Sequence, residues 1–426
     1  MRTAGTRAPR GESSSRLYAL LFLASFLTIV GSGIGSRPLF AMGSSLIIVV
    51  LAQAFRSRKL LNYLRITRSH VPRCLEGETL YIQLRVENQS TSHPYLVGIA
   101  DRCAAIGGSV IHSLVVELPA FAAAKVPYHI TCDYRRGYFV LGPTTLTVPD
   151  ELGIFRWRKL RNVHTDLLVC PRPLSIEKLP LLGIGTLPHV GIETVRHSGR
   201  SEVFAGVREF REGDPFRFVH WPTTLRTRKL HVKEFDRSVV THVSVFIDLF
   251  ATGETGIGNV TSVEQRLRVA ATLAASAIEN CHFVRLIAAK VPSESTRSAG
   301  GKLHLQSLMQ WLATQSARGV GSLEDVLIAE LSSIRRGSTV ALVLSSTNIQ
   351  LPRLCKILQQ LRSRQVHLVA AVVEDRSYLK RYAYQTSLFE ASLPMEEIAR
   401  ELQRAGCTVY TLWRDTDIIH SLGATI

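Results

Sequence analysis

Residues 340–373 read VALVLSSTNIQLPRLCKILQQLRSRQVHLVAAVV, and this stretch decides the fold class of the C-terminal half of the chain. Two apolar runs, 340–344 and 366–373, the second interrupted only by His367, flank a segment with helical periodicity at 352–362. A strand that is buried on both faces reads as such a run, and a helix between two of them is typical of a parallel sheet. We therefore predict a parallel α/β sheet that is covered by helices on both faces.

The same alternation continues on both sides of this stretch. We predict further strands at 239–248, 283–289 and 408–412, and further helices at 262–281, 323–334 and 395–404. Ser262 belongs to the residue types that cap helix N-termini, which supports a helix start there. The predicted α/β domain spans residues 238–426.

A different period marks residues 69–175. The run TLYIQLRVE at 79–87 places Leu80, Ile82, Leu84 and Val86 on one face of a strand, and the runs 109–118, 125–132 and 144–148 alternate similarly. Period-two strands separated by turn residues predict an antiparallel sheet or a small sandwich. We therefore expect a β-rich, sandwich-like domain here.

The N-terminal region contains two uncharged apolar runs, 17–35 and 38–55. At 1.5 Å per residue each run spans roughly 27–29 Å, which is about the thickness of a hydrocarbon core. We predict two transmembrane helices, preceded by a basic tail at 1–16 and followed by a basic linker at 56–68. A cleaved signal peptide is the alternative, but no clear cleavage site follows the first run.

The charge distribution sets the topology and the expected partners. The chain carries 51 Lys and Arg against 34 Asp and Glu, and residues 1–68 alone hold ten basic residues and one acid. The positive-inside rule places both flanks in the cytoplasm, so we expect a multi-pass protein of the cell membrane whose soluble domains are cytoplasmic. Anionic lipid is an expected partner. Nucleic acid is not, because topology accounts for much of the charge.

The cysteines exclude two classes of protein. Seven are present, and no two are separated by two residues. This spacing excludes a disulfide scaffold and a zinc ribbon, and it suits a reducing compartment.

Residues 202–236 read EVFAGVREFREGDPFRFVHWPTTLRTRKLHVKEFD, in which aromatic residues alternate with charges of both signs. We call residues 193–237 the signature segment. Its arginines can form bidentate pairs with its carboxylates, which predicts either a salt-bridged brace between domains or a binding face. The residues that carry this prediction are Arg208, Glu209, Asp214, Arg217, Trp221, Arg226 and Glu234.

Four motifs in order resemble the domain of unknown function 58 family, over most of the chain. They are RGYFVLGP at 136–143, DELGIF at 150–155, VCPR at 169–172, and the signature segment with its Gly206, Arg208-Glu209-Phe210, Gly213-Asp214, Arg217, Trp221, Arg226, Leu230 and Glu234. Two positions depart from the family pattern. Pro222 stands where the family usually has lysine, and Leu225 stands where it usually has a small residue.

The C-terminal domain is similar to a von Willebrand factor A-type domain, a Rossmann-type parallel sheet. The resemblance implies Mg²⁺ at the carboxyl ends of the strands, held in part by an Asp-x-Ser-x-Ser run. Asp248 and Thr252 retain oxygen ligands of that run, but Phe250 has none, and Ser345-Ser346 stand where an aspartate is usual. We therefore predict a degenerate site with no metal and no other cofactor.

The resemblance also implies a partner, a MoxR-type AAA+ ATPase of bacteria, and hence the inner membrane. The predicted function is that of a membrane-anchored cytoplasmic interaction or scaffold protein with an assembly or chaperone-like role, and without enzymatic activity. The alternative is a hydrolase-like enzyme that uses the signature segment, where Asp214, His220 and Glu209 are the candidate catalytic groups.

Overall fold

The computed structural model of the protein describes residues 11–174, 203–212, 214, 216–236, 241–258, 260–347, 349–378 and 393–414. The chain divides into two compact units. The first consists of Met1–Arg172 with Gln310–Gln315, and the second of Pro173–Met309 with Ser316–Ile426.

The first unit begins with two helices, α1 (Gly11–Gly33) and α2 (Arg37–Tyr63), which are each long and apolar enough to cross a membrane. They approach each other closely at Gly43, where a Cβ atom would lie 2.6 Å from Cγ2 of Thr28 and 2.8 Å from the carbonyl oxygen of Ala24. Small residues at a helix contact are the usual means of close packing in a bilayer.

The end of α2 differs from the predicted boundary. Residues 56–68, which we expected to form a basic linker, contain the last turns of α2 and the first strand, which begins at Leu64. Leu60, Leu61 and Leu64 are buried in the core of the first unit. Arg56, Arg58 and Lys59 before the leucines, and Arg65 after them, concealed this apolar group in the sequence.

The described residues of the first unit also form nine strands, in two sheets. The three-stranded sheet has the order β1-β3-β6, and the six-stranded sheet has the order β2-β9-β7-β4-β5 with β8 paired to β7. Buried side chains of both sheets form two hydrophobic clusters. The predicted face contributes Leu84 and Val86 to one cluster and Leu80 and Ile82 to the other. The strands are β1 (Leu64–His70), β2 (Arg73–Leu75), β3 (Thr79–Asn88), β4 (Tyr95–Cys103), β5 (Ser109–Glu117), β6 (Ala123–Thr131), β7 (Gly137–Pro149), β8 (Arg156–Arg161) and β9 (Thr165–Cys170).

A buried ion pair links the two sheets. Arg68 on β1 pairs with Asp101 on β4, and both side chains are almost fully inaccessible to solvent. The guanidinium also donates to the carbonyl oxygen of Leu141 at 2.9 Å, and the hydroxyls of Tyr128 and Thr144 donate to the carboxylate at 2.6 and 2.8 Å. The polar groups of this network therefore satisfy each other within the core.

The second unit starts with a small module that lies in the signature segment. Strand β10 (Val203–Glu209) pairs antiparallel with β11 (His231–Asp236), and a short 3-10 helix (Phe216–Phe218) and helix α3 (Trp221–Thr227) connect them.

The other described residues of this unit form a mixed six-stranded sheet with flanking helices, in the order β16-β15-β12-β17-β18-β19. All strands are parallel except the edge strand β16, which is antiparallel to β15. The elements are β12 (His242–Asp248), the hairpin β13 (Gly256–Ile257) and β14 (Val260–Thr261), α4 (Ser262–Glu279), β15 (Phe283–Ala289), β16 (Glu294–Ser295), α5 (Lys302–Thr314), α6 (Leu323–Glu330), β17 (Thr339–Ser345), α7 (Leu351–Ser363), β18 (His367–Val373), α8 (Met395–Arg404) and β19 (Thr408–Leu412).

The buried pair of the first unit generates a prediction. We expect Asp101→Ala to destabilise the protein by roughly 3–5 kcal/mol, because it leaves the Arg68 guanidinium buried without its carboxylate. Arg85→Ala is the control, since the pair of Arg85 with Glu87 is half exposed and worth at most about 1 kcal/mol. Denaturant unfolding of the full chain in detergent measures both changes, and equal losses of stability would contradict the expectation.

Candidate functional site

The carboxyl edge of the second sheet is the first candidate site. From β12 the chain leaves to β15 on one side and later returns to β17 on the other, so the strand order reverses at β12 and β17. Open α/β sheets bind ligands in the crevice outside such a switch point. Asp248 ends β12 and Ser345 ends β17, so both residues lie at this position.

The first group at the switch point is Asp248, whose side chain is buried beside the fully buried guanidinium of Arg266 on α4. Nη1 of Arg266 lies 3.7 Å from Oδ1 of Asp248 and donates to the Asp248 carbonyl oxygen at 2.6 Å. The Asp248 carboxylate also accepts hydrogen bonds from the backbone N–H groups of Phe250 and Ser345 at 3.2 and 3.4 Å.

Asp375, two residues after β18, is the second carboxylate of this edge and is completely buried. Its Oδ2 accepts hydrogen bonds from the hydroxyls of Ser345, Ser346 and Thr347 at 2.5, 3.3 and 2.9 Å. Ser345 therefore connects the two carboxylates, through its N–H to Asp248 and its hydroxyl to Asp375. Oδ1 of Asp375 has no hydrogen-bond partner among the described residues.

The environment changes the ionisation of Asp248. Burial raises the pKa of this carboxyl to about 6, and the charge of Asp375 adds to the rise, while the Arg266 guanidinium and the two N–H groups act in the opposite direction. Desolvation disfavours the charged form of a carboxyl, and here it outweighs the nearby cation.

These residues do not fit the divalent cation that the resemblance implies. A buried guanidinium already supplies positive charge next to Asp248, and the apolar ring of Phe250 is buried where a hydroxyl ligand would be needed. No group of three or more metal-ligating side chains occurs among the described residues. Mg²⁺ needs several well-placed oxygens, which this closed cluster does not offer.

The structure separates one predicted residue from this cluster and adds two. Thr252 lies exposed in a short 3-10 helix and makes no hydrogen bond with any described residue. Asp375 and Arg266 were missed. The position of Asp375 just after an apolar strand is the signal that could have identified it. Arg266 had no such signal, because α4 also carries Glu264, Arg268 and Glu279.

The signature segment is the second candidate site. Arg208 on β10 forms a bidentate pair with Asp214, with both N–O distances at 2.7 Å, and the N–H of Arg211 donates to the same carboxylate at 2.8 Å. Arg208 first, and then Arg211, lower the pKa of Asp214 to about 2. Asp214 therefore stays ionised and holds the turn after β10 in place.

The other candidate catalytic groups also have structural contacts. The Nδ1 atom of His220 caps α3 by accepting from the N–H of Thr223, and it lies 2.8 Å from the Thr223 hydroxyl. Glu209 is exposed and lies 3.4 Å from Nζ of Lys229. Both residues thus serve the module itself.

The outer surface of this module is apolar and basic. The side chains of Phe216, Trp221 and Leu225 are 70%, 59% and 77% exposed. Arg226 and Arg228 are both exposed, and neither makes an ion pair within the described part of the chain. The backbone of Arg217 and Glu234 lies in described elements, but the side chains of both, and residues 193–202, lie outside the described residues.

Residues 206–378 match the model of a family that is described as a protein of unknown function, DUF58. The match begins inside the signature segment and ends in the turn after β18, and it supports the family resemblance drawn from the sequence. A comparison with curated proteins finds no match.

Solved structures show only distant similarity. The CARDB domain of the PF1109 protein from Pyrococcus furiosus is 14% identical with a TM-score of 0.20, over 25% of this chain and 86% of that one. The C-terminal domain of wzt is 7% identical with a TM-score of 0.20, over 25% and 73%. The DNA glycosylase AlkC of Pseudomonas fluorescens is 13% identical with a TM-score of 0.18, over 36% and 47%. Such low scores assign neither fold nor function.

The raised pKa of Asp248 predicts a pH-dependent stability. Between pH 3.8 and about 6 the unfolded chain releases this proton before the folded chain does, so stability falls as the pH rises through this window. Across this window the free energy of unfolding falls by about 3 kcal/mol. Thermal unfolding of the full chain should therefore show that Asp248→Asn removes this part of the pH dependence.

Asp214→Asn is the control for this measurement. The pKa of Asp214 is lowered to about 2, so its contribution is already complete above its ordinary value of 3.8 and constant between pH 4 and 6. A wild-type pH profile that Asp248→Asn leaves unchanged would contradict the assignment.

Proposed function

We propose that the protein is a membrane-anchored interaction protein that works with a MoxR-type AAA+ ATPase in assembly or chaperone-like activity. The observation that carries this proposal is the exposed surface of the signature module. We call this surface the signature face and define it by Phe216, Trp221, Leu225, Arg226, Arg228 and Leu230.

The composition of the signature face supports a protein partner. Large apolar side chains that are exposed together mark interaction sites, and tryptophan and arginine are enriched among the residues that dominate binding energy. The bidentate pairing of Asp214 with Arg208 fixes the turn before the face and so helps to hold the face in place. A preorganised surface loses less entropy when it binds.

The charge of the signature face indicates the kind of partner surface. Residues 221–233 contain Arg226, Arg228, Lys229 and Lys233 and no carboxylate. Complementary charge steers association and excludes wrong partners, so the matching surface is expected to be acidic with apolar pockets. The identity of the partner as a MoxR-type ATPase rests on the family resemblance.

The second part of the proposal concerns the α/β domain, which we assign to the von Willebrand factor A type, in a Rossmann-type parallel sheet. The strand order, with an antiparallel edge strand and a reversal at β12 and β17, supports this assignment. In this proposal the Asp248–Arg266 cluster replaces the metal site, and the domain serves as a scaffold.

The third part concerns topology. We propose that α1 and α2 form a transmembrane hairpin in the bacterial inner membrane. The strands of the first unit and the whole second unit then lie in the cytoplasm. The support is the distribution of basic residues, since arginines flank both ends of the hairpin and only Arg37 lies at its turn.

The role of the signature face can be tested by alanine substitution. We expect Trp221→Ala with Leu225→Ala to weaken binding of the full chain to the purified ATPase at least tenfold, because loss of a central anchor typically costs about 2 kcal/mol. Leu303→Ala with Val320→Ala is the matched control, since both side chains are about 80% exposed and lie in the same unit. Equal affinities of the two double variants in a binding titration would refute the role of the face.

The topology can be tested with a reporter. We expect a reporter fused after Ile426 to be active in the cytoplasm and inactive on the outer side, because the basic flanks remain inside. Labelling of a C-terminal tag in intact cells by an impermeant reagent would show the opposite orientation.

A further inference from the structure

The amino edge of the second sheet carries a group of arginines that neither candidate site uses. The parallel strands β12, β15, β17 and β18 begin at this edge. Two of the arginines precede β17, two precede β18, and one follows the antiparallel strand β16. We call this group the arginine edge. It consists of Arg297, Arg335, Arg336, Arg362 and Arg364.

Hydrogen bonds connect parts of the arginine edge with neighbouring segments of the sheet. Nη1 of Arg335 donates to Nε2 of His242 at 3.0 Å, and Nδ1 of the same ring lies 3.2 Å from the hydroxyl of Ser298, next to Arg297. Burial, and then the charge of Arg335, lower the pKa of His242, so this ring is neutral and can accept. Arg364 donates to the carbonyl oxygen of Leu331 at 2.8 Å.

The charges of this edge lack counterparts. Within the described residues, the five arginines form no ion pair with a carboxylate. Glu330 is paired with Arg285 at 3.2 Å, and Glu401 is paired with Arg404. Glu279 at the end of α4 is a remaining negative charge nearby, so the edge keeps a clear positive excess.

The shape of the arginine edge suits an extended anionic surface. Neighbouring strands lie about 4.8 Å apart, so the amino ends of four strands distribute these charges over roughly 14 Å. The arginines belong to separate segments and Arg297, Arg335, Arg336 and Arg362 are exposed. Exposed arginines distributed in this way can contact several phosphates at once.

We propose that the arginine edge docks the second unit onto the anionic phospholipid headgroups of the membrane in which α1 and α2 are anchored. This inference rests on the proposed membrane anchorage. Because the anchor keeps the chain at the membrane, the effective headgroup concentration is high, and weak contacts are sufficient for docking. Each basic side chain at an anionic surface strengthens such a contact about fivefold, the equivalent of about 1 kcal/mol.

Cys281 provides a probe for this edge. It is exposed and lies between α4 and β15, at the same end of the sheet, whereas Cys355 is half-buried and the other five cysteines are buried. The full chain with Cys355→Ser is first reconstituted into vesicles. A fluorescent maleimide added outside then labels Cys281 only in molecules whose second unit faces the outside of the vesicle. Quenching by acrylamide then reports whether water reaches the edge.

The comparison uses vesicles of phosphatidylcholine alone and vesicles that also contain phosphatidylglycerol. We expect acrylamide quenching to fall when phosphatidylglycerol is present and to recover at about 1 M salt, where the Debye length is about 3 Å. Arg297→Gln with Arg336→Gln should weaken docking about 25-fold, since neither side chain makes a described hydrogen bond or ion pair that folding would lose.

Two controls separate docking from other effects. Arg318→Gln with Arg353→Gln makes the same change in charge at the carboxyl edge. There the N–H of Arg318 donates to the carbonyl oxygen of Leu249, and Arg353, in the first turn of α7, pairs with Asp325. This variant should dock like the parent chain. A probe at the carboxyl edge, in a Thr252→Cys and Cys281→Ser chain, should not respond to phosphatidylglycerol.

The outcomes distinguish the two proposals. A chain that fails to float with vesicles at high salt contradicts the membrane anchorage itself. A chain that floats, but whose Cys281 probe is quenched equally in both lipid mixtures, overturns the docking inference alone. Protection of the probe by duplex DNA and not by phosphatidylglycerol also overturns it, because the edge would then bind nucleic acid.

Discussion

The buried guanidinium of Arg266 determines what the carboxyl edge of the second sheet can do. A cation without access to water is tolerated only when carboxylates and carbonyl oxygens surround it. Here the side chain and carbonyl oxygen of Asp248 and the carbonyl oxygen of Gly253 meet that need. These bonds tie the segment after β12 to α4, and they leave the position at which such sheets usually bind ligands filled by the protein itself.

The first unit follows the same rule at another place. Arg68 connects two sheets through Asp101, and it too is surrounded by carbonyl and hydroxyl oxygens. Arginine thus has two distinct uses in this chain. The buried arginines Arg68 and Arg266 are saturated with hydrogen bonds and help to determine the fold. The exposed arginines of the signature face and the arginine edge lack carboxylate partners among the described residues and remain available for binding.

The sequence predicts the buried strands well because each is encoded locally. The predicted run 366–373 corresponds to His367–Val373, and 408–412 to Thr408–Leu412. Strand β4 was not predicted, since Gly98 and Asp101 interrupt its alternation, and the buried role of Asp101 depends on Arg68 from a distant strand. The cluster of Asp248, Arg266 and Asp375 could not be predicted from the sequence for the same reason. Only the order β12-β17-β18 brings its members together, and the sequence does not state that order.

A raised pKa and access to solvent do not coincide in the carboxylates of the two candidate sites. Catalysis needs a group that is both tuned in its pKa and reachable by a substrate. Asp248 has a raised pKa, but it is enclosed behind Phe250 and Ser345. Asp214 is more accessible, but Arg208 holds both of its oxygens and keeps it ionised. The raised pKa and the accessible position thus belong to different carboxylates. The exposed aromatic and basic side chains have the properties that a partner surface requires.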